Sequence, residues 1–260
     1  MRGGIKAVLP QGASVARGQR GIVFECEGSK LVGTIFTTAD SPAPTAILLH
    51  GIPGIEKNHD LAHALRDAGL NAVVFHYRGC WGSDGDYRID GVPTDVTACL
   101  DFLSSGACPE VDTERLFLIG HSLGGWAALS TGSDSRVRGV VAISAVVDPS
   151  RVEVTEEDAL AYVSPWLRGV TPEEFVRQWS GARPATAAAA QLSKPLLVIH
   201  GGNDSLIPVD QARLAFDAAR DPKALEIYPD ADHAFIDSRP WLIGLVVGWV
   251  GERVAGTKGS

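Results

Sequence analysis

A serine flanked by glycines stands at Gly120-His121-Ser122-Leu123-Gly124, between an apolar run, LFLI, and a stretch of small and apolar residues, GGWAAL. A strand ending directly before such a pentapeptide and a helix starting directly after it form a tight corner. Glycines two residues away on either side leave the room that corner needs. The corner lifts the hydroxyl clear and aims the first amides of the helix at whatever the hydroxyl attacks. A serine hydroxyl is a weak nucleophile without a base. Two later loops supply the partners: HGGNDSLIP places Asp204 after one apolar run, and DADHAF places His233 after the next. In this reading His233 takes the proton from Ser122 and later gives it to the leaving group. Asp204 fixes the tautomer of His233 and stabilises the imidazolium. Asp148, after VVAIS, is the rival acid, whereas Asp230 and Asp232 read as solvated loop residues.

Attack on a carbonyl also calls for two donors at the developing oxyanion. The N–H of Leu123 is one. The loop LLHGIPG, residues 48–54, supplies the other through the N–H of Ile52. Gly51 and Gly54 let that loop turn its amides inward. Candidate walls of a substrate pocket are Trp81, in the glycine-punctuated loop YRGCWGSDGDY, and the later aromatics Trp166, Phe175 and Trp179. Those three either line a pocket or form a small core of their own. Arg78 and Asp84 read as ties of their loop, and His50, His121 and His200 as support or packing residues.

These loops need a scaffold. Short β-branched runs (GIVFEC, LVGTIFT, TAILLH, NAVVFHY, RLFLIG, VRGVVAIS, PLLVIH, ALEIYP) alternate with stretches of helical length. The first two runs are separated only by EGSK, a hairpin signal. After that the order is strand, helix, strand, helix. Near-continuous apolar strands with helical crossovers predict a mostly parallel sheet of about eight strands with helices on both faces. Gly69 reads as a helix C-cap, and Thr171, Pro172 and Glu174 as a helix start with a capping-box pattern. One long insert, about residues 150–191, breaks the alternation. Its aromatics and its place after a strand predict a small helical cap over the carboxyl ends of the strands, within a single domain spanning 1–260. Ligands bind at that edge in open α/β sheets.

LLHGIPG, FHYRGCWGSDG, GHSLGG, HGGNDSLIP and DADHAF together resemble the α/β-hydrolase superfamily, above all its small intracellular cinnamoyl and short-chain esterases and the related dipeptidyl-peptidase-like serine hydrolases. The resemblance runs from about Val23 to the last helix. It implies a cofactor-independent serine hydrolase that cleaves short-to-medium acyl or aryl esters through an acyl-enzyme. A serine peptidase of the same fold and a non-catalytic ligand-binding protein of that fold are the alternatives. HGIPG departs from the longer HGGG loop of the hormone-sensitive-lipase type, so that branch is disfavoured.

The bulk composition sets outer bounds. The formal charge of −8 and the lack of a Lys/Arg cluster argue against a nucleic-acid partner. The expected partner is a small-molecule ester, and a homodimer stays open. Cys26, Cys80, Cys99 and Cys108 show no metal or redox spacing and read as buried thiols. MRGGIKAVLPQG has no apolar h-region, so a cytoplasmic protein is expected. WLIGLVVGWV, residues 241–250, is too short to span a bilayer and reads as a core-facing last helix. HDLAH puts His59 and His63 four apart on a helix. With no third ligand in view, a solvated face outranks a metal site, and no metal is expected.

Overall fold

The computed structural model describes residues 17–54, 57–163 and 165–256. The stretch MRGGIKAVLPQG lies outside the described residues. Eight strands form one sheet: β1 (Gly18–Cys26), β2 (Ser29–Thr37), β3 (Ala43–Leu49), β4 (Asn71–Phe75), β5 (Val111–His121), β6 (Val137–Ile143), β7 (Leu196–Gly201) and β8 (Lys223–Tyr228). Their lateral order is β1-β2-β4-β3-β5-β6-β7-β8. β1 and β2 are antiparallel, β2 runs antiparallel to β4, and every later pair is parallel. The hairpin is tighter than EGSK suggests. Pairing continues to Cys26 and Ser29, leaving Glu27 and Gly28 as a two-residue turn, both with positive φ.

The helices are α1 (His59–Asp67), α2 (Val92–Ser104), α3 (Leu123–Thr131), α4 (Glu156–Tyr162), α5 (Pro172–Gly181), α6 (Thr186–Gln191), α7 (Asp210–Ala218) and α8 (Arg239–Gly256). The sheet is covered on both faces. α1 and α8 bury Leu61, Leu65, Leu242 and Val246 against one face. α2, α3, α7 and the insert bury Leu100, Leu129, Ala215 and Phe175 against the other. β3 and β4 are buried along their whole length, as strands with two covered faces must be. The 241–250 run lies inside α8, and among the described residues no helix is long and apolar enough to cross a membrane. All four cysteines are free and buried. Burial pushes the Cys26 thiol up to about 11, and it raises the other three as well.

This topology creates the place for a site. The connection after β3 crosses to β4 on one side, and the connection after β5 crosses to β6 on the other. Neighbouring strands whose connections leave in opposite directions open a crevice at their carboxyl ends. Residues 50–54 leave β3 at that crevice, and Ser122 leaves β5.

The insert between β6 and β7 holds α4, α5 and α6. A complete capping box starts α4: the Asp158 amide donates to Thr155 Oγ1 (3.1 Å), and the Thr155 amide donates to Asp158 Oδ2 (2.9 Å). At α5 the box read from the sequence is half made. The Glu174 amide donates to Thr171 Oγ1 (3.1 Å), but the Glu174 carboxylate takes its bond from Gln178 Nε2 instead.

Candidate active site

Ser122 sits between β5 and α3 with φ 57° and ψ −122°. A non-glycine residue at positive φ is strained, and the strain is held by its surroundings. The Ser122 amide donates to Ile143 O (2.9 Å), and its carbonyl accepts from Gly125 and Val146. The glycines are needed for close approach. A Cβ on Gly120 would strike the Gly124 carbonyl, and one on Gly124 would strike the carbonyl of Leu49 in β3. Both obstacles are backbone inside the core and cannot move aside. Gly124→Ala is therefore expected to lower stability by about 3 kcal/mol, at the upper end of ordinary overpacking. Urea unfolding reads this directly; an unchanged midpoint would mean that the corner is looser than its contacts suggest.

Asp204 and His233 meet at the same edge of the sheet. Asp204 Oδ1 accepts the amides of Leu206 (2.9 Å) and Ile207 (2.8 Å), and Oδ2 accepts His233 Nδ1 (2.8 Å). The loops carrying them are knitted together: the Gly202 amide donates to Tyr228 O (2.8 Å), and the Asn203 amide to Ala231 O (3.0 Å). Burial pushes the Asp204 carboxyl up, but hydrogen bonds from His200, His233 and the Ile207 amide outweigh it. They hold the carboxyl well below the usual carboxylate range. An ionised acid on Nδ1 leaves Nε2 of His233 to face a substrate. The rival Asp148 is occupied elsewhere: its carboxylate caps Ser150 and pairs with Arg151.

Ser122 follows His121, whose ring packs on this pair. The ring of His121, its chain neighbour, lies 4.7 Å from the ring of His233, and His121 Nε2 bonds the His233 carbonyl (2.9 Å). Ser122 Oγ and His233 are not hydrogen-bonded to each other; such bonds commonly tighten only once substrate orders the site. His50 and His200 follow the same pattern as His121. His50 Nδ1 bonds Gly51 O (2.8 Å), and His200 Nε2 bonds Ile207 O (3.0 Å) and lies 3.4 Å from Asp204 Oδ2. A carbonyl only accepts, so each of these ring nitrogens carries the hydrogen and the tautomer is fixed. Burial pushes His50 down to about 4 and His121 down to about 3, with the nearby Lys57 and His233 adding repulsion. Both are neutral supports at ordinary pH.

The loop after β3 packs on the nucleophile. A Cβ on Gly51 would come within 2.8 Å of Ser122 Cβ. The half-buried Ile52 follows Gly51 in this loop, and Leu123 is the first residue of α3. The four candidate pocket aromatics divide. Trp166 is 41% exposed and stacks on the half-buried Trp81 with ring centres 4.9 Å apart. Phe175 and Trp179 are instead buried. Spaced four apart on α5, they share its inner face; Phe175 stacks on Tyr87, and Trp179 Nε1 donates to Val152 O (2.8 Å).

Some supports escaped the sequence reading. Arg239 reaches from the start of α8 to Asp60, Asn58 and the carbonyl of Ala234, tying the His233 loop to α1. Arg78, read from the sequence as a tie of its loop, meets the buried Asp95 in the first turn of α2 (2.6 Å). His59 and His63 rest against Phe36, and no cluster able to hold a metal occurs among the described residues.

A family model of known sequences, described as the prolyl oligopeptidase family, matches residues 60–251. The chain belongs to the prolyl oligopeptidase family. Among relatives, the uncharacterized protein Rv2307c of Mycobacterium tuberculosis is 28% identical over 230 residues, covering 86% of this chain and 76% of its own length. Among solved structures, Est1E from Butyrivibrio proteoclasticus with ferulic acid bound superposes with a TM-score of 0.72 at 18% identity, over 90% of this chain and 99% of that one. The Pyrococcus furiosus esterase Pf2001 gives a TM-score of 0.71 at 21% identity, over 94% and 92%. These likenesses establish the α/β-hydrolase fold for this member of the prolyl oligopeptidase family.

Proposed function

We propose that the protein is a serine hydrolase that cleaves carboxylic esters through an acyl-enzyme. The observation that carries this reading is the 2.8 Å bond from His233 Nδ1 to Asp204, formed at the sheet edge where Ser122 stands at positive φ. Ser122 Oγ attacks the ester carbonyl as His233 Nε2 takes its proton. The amides of Ile52 and Leu123 hold the oxyanion of the tetrahedral intermediate. Collapse expels the alkoxide, which His233 protonates. Water then repeats the sequence on the acyl-enzyme, its proton passing to His233, and releases the acid. No cofactor enters this chemistry. Residues 150–191 act as a cap, joined through the stack of Trp166 on Trp81 to the loop after β4. The esterase neighbours of the fold support the choice of ester.

A fluorophosphonate ester tests the nucleophile without assuming a natural substrate. Intact mass is expected to show one adduct per chain, mapped to Ser122 and lost on heating the protein to unfold it before labelling. Labelling of unfolded protein to the same extent, or at another residue, would remove the basis of the reading. Membership of the prolyl oligopeptidase family favours a second reading, cleavage of peptides. Glu153, Glu156 and Glu157 of the insert are exposed, and Asp158 is engaged in the capping box, so none forms a buried anchor for a free amino terminus. An aminoacyl anilide assayed against the matched ester separates the two.

A further inference from the structure

Trp81 is oddly placed for a pocket wall. Its φ is +47°, a conformation that costs a bulky side chain energy and persists only where the surroundings impose it. Three contacts converge on its indole. Nε1 donates to the carbonyl of Pro53 at 2.7 Å, a short bond for a neutral pair. The ring stacks on Trp166 at 4.9 Å and 21°. The ammonium of Lys57 lies 3.7 Å from the ring centre, within cation–π range. Pro53 and Lys57 belong to the loop after β3, and Trp166 belongs to the insert. One side chain therefore joins the loop that carries the Ile52 amide to the segment expected to cover the site.

The insert is fastened at the same point. Residues 77–87 and 166–168 run side by side: Cys80 bridges Leu167, the Arg168 amide donates to Gly79 O (2.9 Å), and the Tyr87 amide donates to Arg168 O (2.8 Å). The Arg168 guanidinium adds bonds to the carbonyls of Ser83 and Gly85. Trp166 cannot shift without moving the loop that holds Trp81. Gly54 shows how close the fit is, since a Cβ there would lie 2.9 Å from Trp81 Nε1.

We propose that Trp81 is a positioning residue for the oxyanion donor: its indole N–H holds the Pro53 carbonyl and so aims the Ile52 amide, and its stack on Trp166 makes that aim depend on the insert. The inference rests on the hydrolase reading above. An amide aimed at an oxyanion acts on the transition state and not on ground-state binding, so it is read in kcat. A pocket wall is read in KM.

Trp81→Phe keeps the stack and removes the N–H. It is expected to lower kcat for p-nitrophenyl butyrate about tenfold or more with KM within twofold of wild type. Affinity for an alkyl trifluoromethyl ketone, which forms the tetrahedral oxyanion, should fall by the same factor, while affinity for butyrate stays constant. Trp166→Ala, at an exposed side chain that the fold does not need, should give a smaller loss of the same kind, about threefold, and the two losses should not multiply in the double variant. If Trp81→Phe fails to fold, the Trp166→Ala result decides alone. A loss confined to KM, or wild-type kcat and ketone affinity in the variants, overturns the inference while leaving the hydrolase reading intact. Undiminished turnover by Ser122→Ala in the same assay overturns both.

Discussion

Ser122→Ala is expected to lower kcat for p-nitrophenyl esters at least a thousandfold, about 4 kcal/mol of transition-state stabilisation, with the urea midpoint unchanged. The reasoning is local. Alanine meets the same backbone strain at φ 57° as serine, so the corner keeps its cost and its shape. The side chain is 9% exposed and Oγ has no bond to His233 that folding depends on. What disappears is the nucleophile alone. The amides of Ile52 and Leu123 would still polarise a bound carbonyl, which is why a residue of activity above that of water should remain. A series from acetyl to dodecanoyl esters, run on both proteins, sizes the pocket at the same time. Variant activity within tenfold of wild type would mean that the hydrolysis comes from another group, and the roles given to Asp204 and His233 would fall with that of Ser122.

How far such a site can be read from sequence follows from how local its causes are. The corner at Gly120–Gly124 is made by five consecutive residues, and the order of Ser122, Asp204 and His233 follows from strand ends marked by apolar runs. These needed no tertiary knowledge. The eight-stranded sheet was legible for the same reason, because alternation and turn residues are short-range. The aromatics of the insert were harder. Phe175 and Trp179 do carry a signal, their four-residue spacing on one helix, which places both on the inward face. Trp166 has no such neighbour, and its stack on Trp81 joins residues far apart in the chain. Arg168 and Arg239 gave no warning at all. Arg168 bonds the carbonyls of Ser83 and Gly85, which any residue supplies, and Arg239 pairs mainly with Asp60 and Asn58, which lie far away in the chain, so neither leaves a local pattern. The capping box at Thr155 and Asp158 was readable and went unread, hidden in a run of acids that looks like a solvated face.

The same burial that makes the histidines good supports makes the fold acid-sensitive. His50 is pushed down to about 4 and His121 to about 3, and His76, which follows β4 with its ring 5.4 Å from that of His50, is also pushed down to about 3, each chiefly by burial. In the unfolded chain all three take up a proton near pH 6.5. Below that pH the unfolded state binds protons that the folded state refuses, so stability falls with each unit by about 1.4 kcal/mol per histidine. The loss runs from pH 6.5 down to about 4 for His50 and to about 3 for His76 and His121, where each ring titrates in the fold. Asp204 acts in a different window: its lowered carboxyl adds stability that is present above the unfolded value, near 4, and is lost only as the pH falls through its folded one. Asp95 works against the histidines, because burial raises its carboxyl and the fold takes up that proton first. At pH 5 the histidines together should cost about 4–6 kcal/mol, with His76 discounted for its partial exposure, against a total of roughly 5–15 kcal/mol for a typical domain. Urea unfolding at pH 7.5 and 5.0 is therefore expected to show a collapse of the midpoint. His121→Gln, which keeps an N–H for the His233 carbonyl and cannot titrate, should recover about 2 kcal/mol of the loss at pH 5. A midpoint that holds from pH 7.5 to 5.0 would show that these rings take protons in the folded state, and their role as permanently neutral supports beneath the site would be wrong.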